Sequence, residues 1–203
     1  LDSGHDGYRR ARLVRRHVLR GLRAAHGHPK TEDGDSGIRA GVLGTNIGSI
    51  EWIAGWVLLI ALGAGFASPV VELLGLDPLS ENNVFRGAGV VLAIAGTGLT
   101  FDAQMMMGDS WRVGVDYDEV TGLVTGGIFG IARNPIFSAL MLAGLGFALM
   151  VPNPLSITAF VLLVASVELQ VRFVEEPYLR QVQGAAYGKY TAAVGRFVPG
   201  VGR

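Results

Sequence analysis

With 203 residues, half of them hydrophobic, 30 of them glycine and only 17% charged, the chain is too apolar for an ordinary soluble domain. It has no cysteine, which excludes disulfides, a thiol nucleophile, thiolate metal sites and S-acylation. The net charge of zero hides an asymmetry: nine of the 17 basic residues precede Gly41, as do His5, His17, His26 and His28, the only histidines, so the apolar part can assemble neither a zinc cluster nor a Ser-His-Asp relay unless that arm folds back onto it.

From Tyr8 to Arg23, seven arginines alternate with Leu13, Val14, Val18, Leu19 and Leu22, the pattern of a basic amphipathic helix. Such a helix rests on anionic lipid or stands solvated beside the membrane, and both readings fit. The arm lacks interleaved aromatics, which argues against nucleic acid as a partner. A polar linker, His28 to Gly37, follows. The apolar stretch from Ile47 lies too far from the N-terminus for a cleaved signal and reads as a retained anchor.

The first span is expected from Ile47 to Ala67, with Ser68-Pro69 ending it. Val70 to Asn83 holds Glu72, Asp77 and Glu81 but no lysine or arginine, so the positive-inside rule puts it outside the cytoplasm and both chain ends inside. A second span runs from Val84 to Met107, carrying Arg86 at one end and Asp102 near the other. The third and fourth, Pro135 to Val151 and Pro154 to Val171, are joined by Pro152-Asn153 as an antiparallel hairpin. The last helix continues through Glu168, Arg172, Glu175 and Glu176, which at spacings of four, seven and eight share a face and offer Arg172 to Glu168 and Glu176. Glycine is so frequent that pairs such as Gly44 and Gly48 predict no oligomer.

The expected fold is therefore all-α: a polytopic integral membrane bundle of about four transmembrane helices, both termini cytoplasmic, with an N-terminal amphipathic helix and a C-terminal helix. Three regions follow: residues 1–46, the basic arm and linker; 47–107, the first two spans; and 108–203, a core of loop, hairpin and C-terminal helix. Charges placed where apolar spans end are functional candidates, because an ionisable group in lipid is costly unless it is paired or lines a cavity. Two such places stand out. One is Thr125-Gly126-Gly127-Ile128-Phe129-Gly130, where three glycines allow close backbone approach to a ligand. The other joins Arg133-Asn134-Pro135-Ile136-Phe137 to Glu175-Glu176 and to Tyr187, Tyr190, Arg196 and Pro199. No strand-helix-strand pattern surrounds the glycines, so a Rossmann dinucleotide site is disfavoured. Arg133-Asn134-Pro135 also serves plain helix initiation, and the tyrosines an interfacial aromatic belt.

The order Met107-Gly108-Asp109-Ser110-Trp111-Arg112, Leu123-Val124-Thr125, Gly127-Ile128-Phe129, Arg133-Asn134-Pro135-Ile136-Phe137, then the paired glutamates with Leu179, Gly184, Tyr187, Tyr190, Arg196 and Pro199, resembles the isoprenylcysteine carboxyl methyltransferase family. The wider group includes phospholipid methyltransferases and membrane sterol-type reductases. The resemblance implies a multi-pass enzyme of the cell membrane that binds S-adenosylmethionine from the cytosol and takes a lipophilic substrate from the bilayer. It implies a cofactor pocket from Thr125, Gly126, Gly127, Ile128, Phe129, Arg133, Asn134, Pro135, Phe137, Glu175, Glu176, Tyr187 and Tyr190. Glu175 and Glu176 would meet the cofactor's ammonium or ribose hydroxyls and Arg133 its carboxylate. Candidate catalytic residues are Arg172, Glu176 and Arg196, the arginines orienting an anionic substrate group. Ile128, Phe137 and Ala139 depart from the family pattern, and Phe137 lacks the usual tyrosine hydroxyl. Methyl transfer from a sulfonium needs alignment more than acid or metal, and aromatic faces such as Phe129 and Phe137 favour the cation. An NADPH-dependent membrane reductase and a nonenzymatic scaffold are the alternatives.

Overall fold

The computed structural model describes residues 47–107 and 122–203, all helix, turn and loop apart from one isolated bridge. The expected arm helix of Tyr8–Arg23, the 28–37 linker and the segment with Trp111 and Arg112 lie outside the described residues. Five α-helices follow in order: α1 (Ile50–Leu73), α2 (Asn83–Met107), α3 (Pro135–Met150), α4 (Pro154–Gln170) and α5 (Glu176–Ala193). A 3-10 turn (Gly127–Gly130) precedes α3, and a π turn (Val171–Glu175) fuses α4 to α5.

Helix α1 starts where Ser49 Oγ accepts from the Trp52 amide at 3.1 Å, an N-cap that satisfies one of the first free donors. It does not stop at Ser68-Pro69, as expected, but carries Pro69 inside it to Leu73. Proline removes one backbone bond and crowds the carbonyl four residues earlier. That earlier residue is Gly65, and the carbonyl of Ser68 accepts from Asn153 Nδ2 at 3.0 Å, a tertiary bond that holds the segment in place. The helix ends instead at Gly75, whose φ of 103° sets a Schellman turn: Leu76 N–H donates to the Val71 carbonyl at 2.9 Å and Gly75 N–H to that of Glu72 at 3.1 Å.

Among the described residues, three helices are long and apolar enough to cross a membrane: α1 with 24 residues, α2 with 25, and the fused Pro154–Ala193 with 40. The expected third span, α3, is apolar but has 16 residues, about 24 Å at 1.5 Å per residue and short of a hydrocarbon core of about 30 Å. Large apolar side chains such as Ile60, Phe66, Val91, Ile94 and Phe101 face outward. A soluble protein rarely exposes so much apolar surface, whereas lipid accepts it without cost. This is a multi-pass membrane protein.

Helices α3 and α4 are joined by the short turn through Pro152, where Asn153 and Ser156 form a reciprocal capping box. The closest packing pairs α2 with α3 and α1 with α4. The first pair meets through small residues. A Cβ built on Gly96 would stand 2.4 Å from the Ala143 nitrogen, and one on Gly89 2.5 Å from that of Met150, so the two backbones touch. The second pair buries Ala61 against Leu163, Val167 and Val171, with Phe137 and Phe197 packed alongside. Within it, Ser166 Oγ donates to the Ala54 carbonyl at 2.8 Å, satisfying a hydroxyl that apolar surroundings would otherwise penalise.

Candidate functional site

The polar residues singled out along the chain converge where α3 begins, α4 gives way to α5, and the C-terminal tail returns. Pro135 occupies the first turn of α3, as expected, since its missing N–H is not needed there. Asn134 stands at the N-cap position, but its side chain does not cap: Nδ2 donates to the Arg196 carbonyl at 3.3 Å. Tail and loop run alongside each other through a parallel bridge between Ala132 and Gly195, with Arg133 N–H donating to the Gly195 carbonyl at 2.8 Å and Asn134 N–H to that of Arg196 at 3.0 Å. Ser138 Oγ adds a bond to the Phe197 carbonyl at 2.7 Å. A Cβ on Gly195 would stand 2.1 Å from the Val198 carbonyl oxygen, so only glycine lets the tail turn there.

At the centre is Glu176, its side chain 3% exposed, with three arginines around it. Arg133 Nη2 donates to Oε1 at 3.1 Å, Arg196 Nε to the same oxygen at 2.5 Å, Arg196 Nη2 to Oε2 at 3.1 Å and Arg180 Nη2 to Oε2 at 3.2 Å. Arg133 is as buried as its partner and also donates to the Gly202 carbonyl at 2.7 Å and the Thr191 carbonyl at 3.2 Å. Its hydrogen bond to Glu176 pushes the Arg196 guanidinium above the already high arginine range. Burying such charges is costly, and here the cost is offset by pairing each with hydrogen-bonded partners. The cluster clamps α5 and the tail onto the start of α3.

Arg172 is not part of it. Its side chain is half exposed and pairs with Glu168, while the expected second partner, Glu176, has turned toward the other arginines. Arg172 lies within the π turn of Val171–Glu175, and Glu176, which opens α5 directly after it, has both carboxylate oxygens taken by Arg133, Arg196 and Arg180. Such turns often sit at functional sites, and a continuous-helix reading of the sequence has no signal for one.

The glycine segment borders this clamp. Thr125, Gly126 and Gly127 are exposed, Ile128 is half-buried and Phe129 is buried at 6% exposure. Gly127 has a φ of 58°, open to glycine, and a Cβ on Gly126 would meet nothing within 4 Å, so backbone here is free to approach a ligand. The segment is tied to α5 by Tyr190, whose hydroxyl donates to the Phe129 carbonyl at 2.6 Å, and Tyr187 stacks edge-on against Tyr190 with ring centres 6.2 Å apart. Glu175 is half-buried beside Glu176, and Phe137 packs into the α1–α4 core. Tyr190→Phe is expected to lower stability by about 1–3 kcal/mol, because the Phe129 carbonyl loses its donor. Thermal unfolding of the detergent-purified protein measures it.

A model of the phospholipid methyltransferase family matches residues 84–186, from the start of α2 into α5. The chain belongs to this family. Protein-S-isoprenylcysteine O-methyltransferase A of Arabidopsis thaliana is 30% identical over 132 residues, 64% of this chain and 67% of that protein. The probable protein-S-isoprenylcysteine O-methyltransferase of Oryza sativa subsp. japonica is 27% identical over 143 residues, 70% and 75% of the two chains. The protein is thus a membrane methyltransferase of isoprenylcysteine-methyltransferase type, as the sequence motifs implied. The matched residues of this methyltransferase include the glycine segment, Arg133 and both glutamates, while Tyr187, Tyr190 and Arg196 lie beyond residue 186 and are tied in by the Tyr190 bond to Phe129 and the Arg196 pair with Glu176.

Proposed function

We infer that this methyltransferase depends on S-adenosylmethionine and methylates a lipophilic, isoprenoid- or lipid-like substrate at the cytoplasmic face of the membrane. The observation that carries the reading is the open backbone at Gly126, fixed by Tyr190 beside the arginine clamp at one end of lipid-exposed helices. The residues fit the cofactor: the unblocked glycine backbone and the half-buried Glu175 offer hydrogen-bonding groups to its polar ends. When bound, the cofactor supplies a methyl group already activated on a sulfonium.

The chain's own contribution is alignment. Holding acceptor and methyl group in attack geometry is worth about 7–11 kcal/mol. Thr125, Gly126 and Gly127 would hold the cofactor, whereas Arg133 and Glu176, consumed in each other, act as positioning residues for the loop and tail. Arg196 and Arg180 surround one carboxylate together with Arg133, which leaves an excess of positive charge to draw an anionic substrate group. The two relatives are named for O-methylation of an isoprenylcysteine, and an oxygen acceptor on a lipophilic chain is the corresponding substrate class here. The cytoplasmic side is supported by the loop of Glu72, Asp77 and Glu81 at the far end of the bundle, without lysine or arginine between residues 70 and 83.

Calorimetric titration of the detergent-purified protein with S-adenosylhomocysteine tests the reading. Saturable binding is expected, weakened at least about tenfold in Gly126→Val with an unchanged melting temperature, since that side chain enters open space on an extended backbone of φ −88°. Binding of NADPH in place of the thioether would replace the reading with the reductase.

A further inference from the structure

A second set of unassigned features lies at the opposite end of the bundle. Between the α1–α4 pair and the α2–α3 pair runs a crevice of about 230 Å³, walled by apolar side chains of all four helices. Along α4 it extends from Ser156 to Leu163, so even its nearer end is about 20 Å of helix from Glu176. It belongs to the half of the molecule remote from the arginine clamp.

Two rows of side chains lead out of it. On α1, Ala61 and Gly65 wall the crevice, and Ser68 and Glu72 continue the same face at spacings of three and four residues. On α2, Ala93 and Thr97 wall it, and Arg86 lies seven residues before Ala93 on that face. The rows meet where Arg86 Nη2 donates to Glu72 Oε1 at 2.8 Å. Ser68 is fully buried, yet its Oγ has no hydrogen-bond partner, and neither has the enclosed Oε2 of Glu72. Beyond the apolar slot, on the same helix faces, a polar cap thus holds one guanidinium, about a third exposed, and two oxygens without a hydrogen-bond partner.

We propose that the crevice and its cap seat one bilayer phospholipid of the leaflet remote from Glu176, with an acyl chain in the crevice, its phosphate on Arg86 and a headgroup donor at Glu72 and Ser68. The occupant follows from position and charge. The slot lies among membrane-crossing helices, with the exposed Leu62 and Phe66 at its edge, so hydrocarbon is what reaches it. A chain leaving bilayer for crevice gains little, because lipid tails are as apolar as the walls, so retention must come from the cap. A guanidinium recognises phosphate, and the two unpartnered oxygens call for a donor-bearing headgroup.

Native mass spectrometry of the full-length protein, exchanged into phosphatidylethanolamine or phosphatidylcholine, tests the proposal, since the two headgroups differ in their N–H donors. One retained phosphatidylethanolamine is expected, at least about tenfold over phosphatidylcholine, reduced to a similar extent in Arg86→Gln and lost in Gly65→Leu, with S-adenosylhomocysteine binding unchanged. Equal retention of the two lipids, or retention indifferent to Gly65→Leu, overturns it. So does a Gly65→Leu variant that keeps its lipid but shows a raised KM for a lipophilic methyl acceptor, which would make the crevice the acceptor's. A measurement without substitution guards against a misfolded variant: wild-type protein in vesicles of phosphatidylethanolamine bearing a chain-end diazirine should label Phe147 and Phe160 in the crevice. Labels confined to the outer faces of α1 and α2 overturn the seat.

Discussion

Glu176→Ala is expected to destabilise the protein by about 3–5 kcal/mol and to abolish methyl transfer, because it strips the paired carboxylate from a buried Arg133 whose side chain is 2% exposed. The loss reflects an uncompensated charge more than the intrinsic strength of the pair. Replacing both partners, Glu176→Gln with Arg133→Met, should therefore cost less than the sum of the single changes, and a thermal-unfolding cycle in detergent measures the difference. Arg172→Gln serves as a contrast. Its partner Glu168 and its half-exposed side chain place the pair where solvent screens it, and a change within about 1 kcal/mol is expected. Equal damage from Arg172→Gln and Glu176→Ala would overturn the separation of the exposed Arg172–Glu168 pair from the buried cluster.

Gly96→Ala and Gly98→Ala, two residues apart on α2, should move stability in opposite directions. At Gly96 the new Cβ would lie 2.4 Å from the Ala143 nitrogen and 2.7 Å from the Ala139 carbonyl oxygen, both backbone atoms that cannot rotate away. Relief requires α2 and α3 to separate, at a cost of about 3 kcal/mol. At Gly98 nothing lies within 4 Å, and alanine removes about 0.5–1 kcal/mol of helix-interior penalty, so the melting temperature should hold or rise. Identical shifts for the two variants would show that the α2–α3 backbone contact contributes nothing.

Much of this was legible one-dimensionally. Hydrophobic runs of about twenty residues announce membrane helices because lipid leaves the backbone few other ways to satisfy its hydrogen bonds. Proline after asparagine announces where α3 begins, and Arg133-Asn134-Pro135 with the paired glutamates carries the family likeness within a contiguous stretch. Pro69 was misleading for a long-range reason: a proline predicts a helix end only when nothing distant holds the helix, and the Asn153 bond to the Ser68 carbonyl comes from a residue far along the chain.

The sequence by itself determined the class of the protein, its helices and the residue types gathered at their ends, because those follow from composition, periodicity and short-range stereochemistry. Only the tertiary structure decided which charges meet. Arg133, Arg180 and Arg196 rather than Arg172 hold Glu176, the Ala132–Gly195 bridge brings Arg196 and the tail to Arg133, and the Tyr190 hydroxyl reaches Phe129 across 61 residues. Each depends on a long-range closure, and a buried ion pair is tolerated only where good geometry and further hydrogen bonds offset its desolvation.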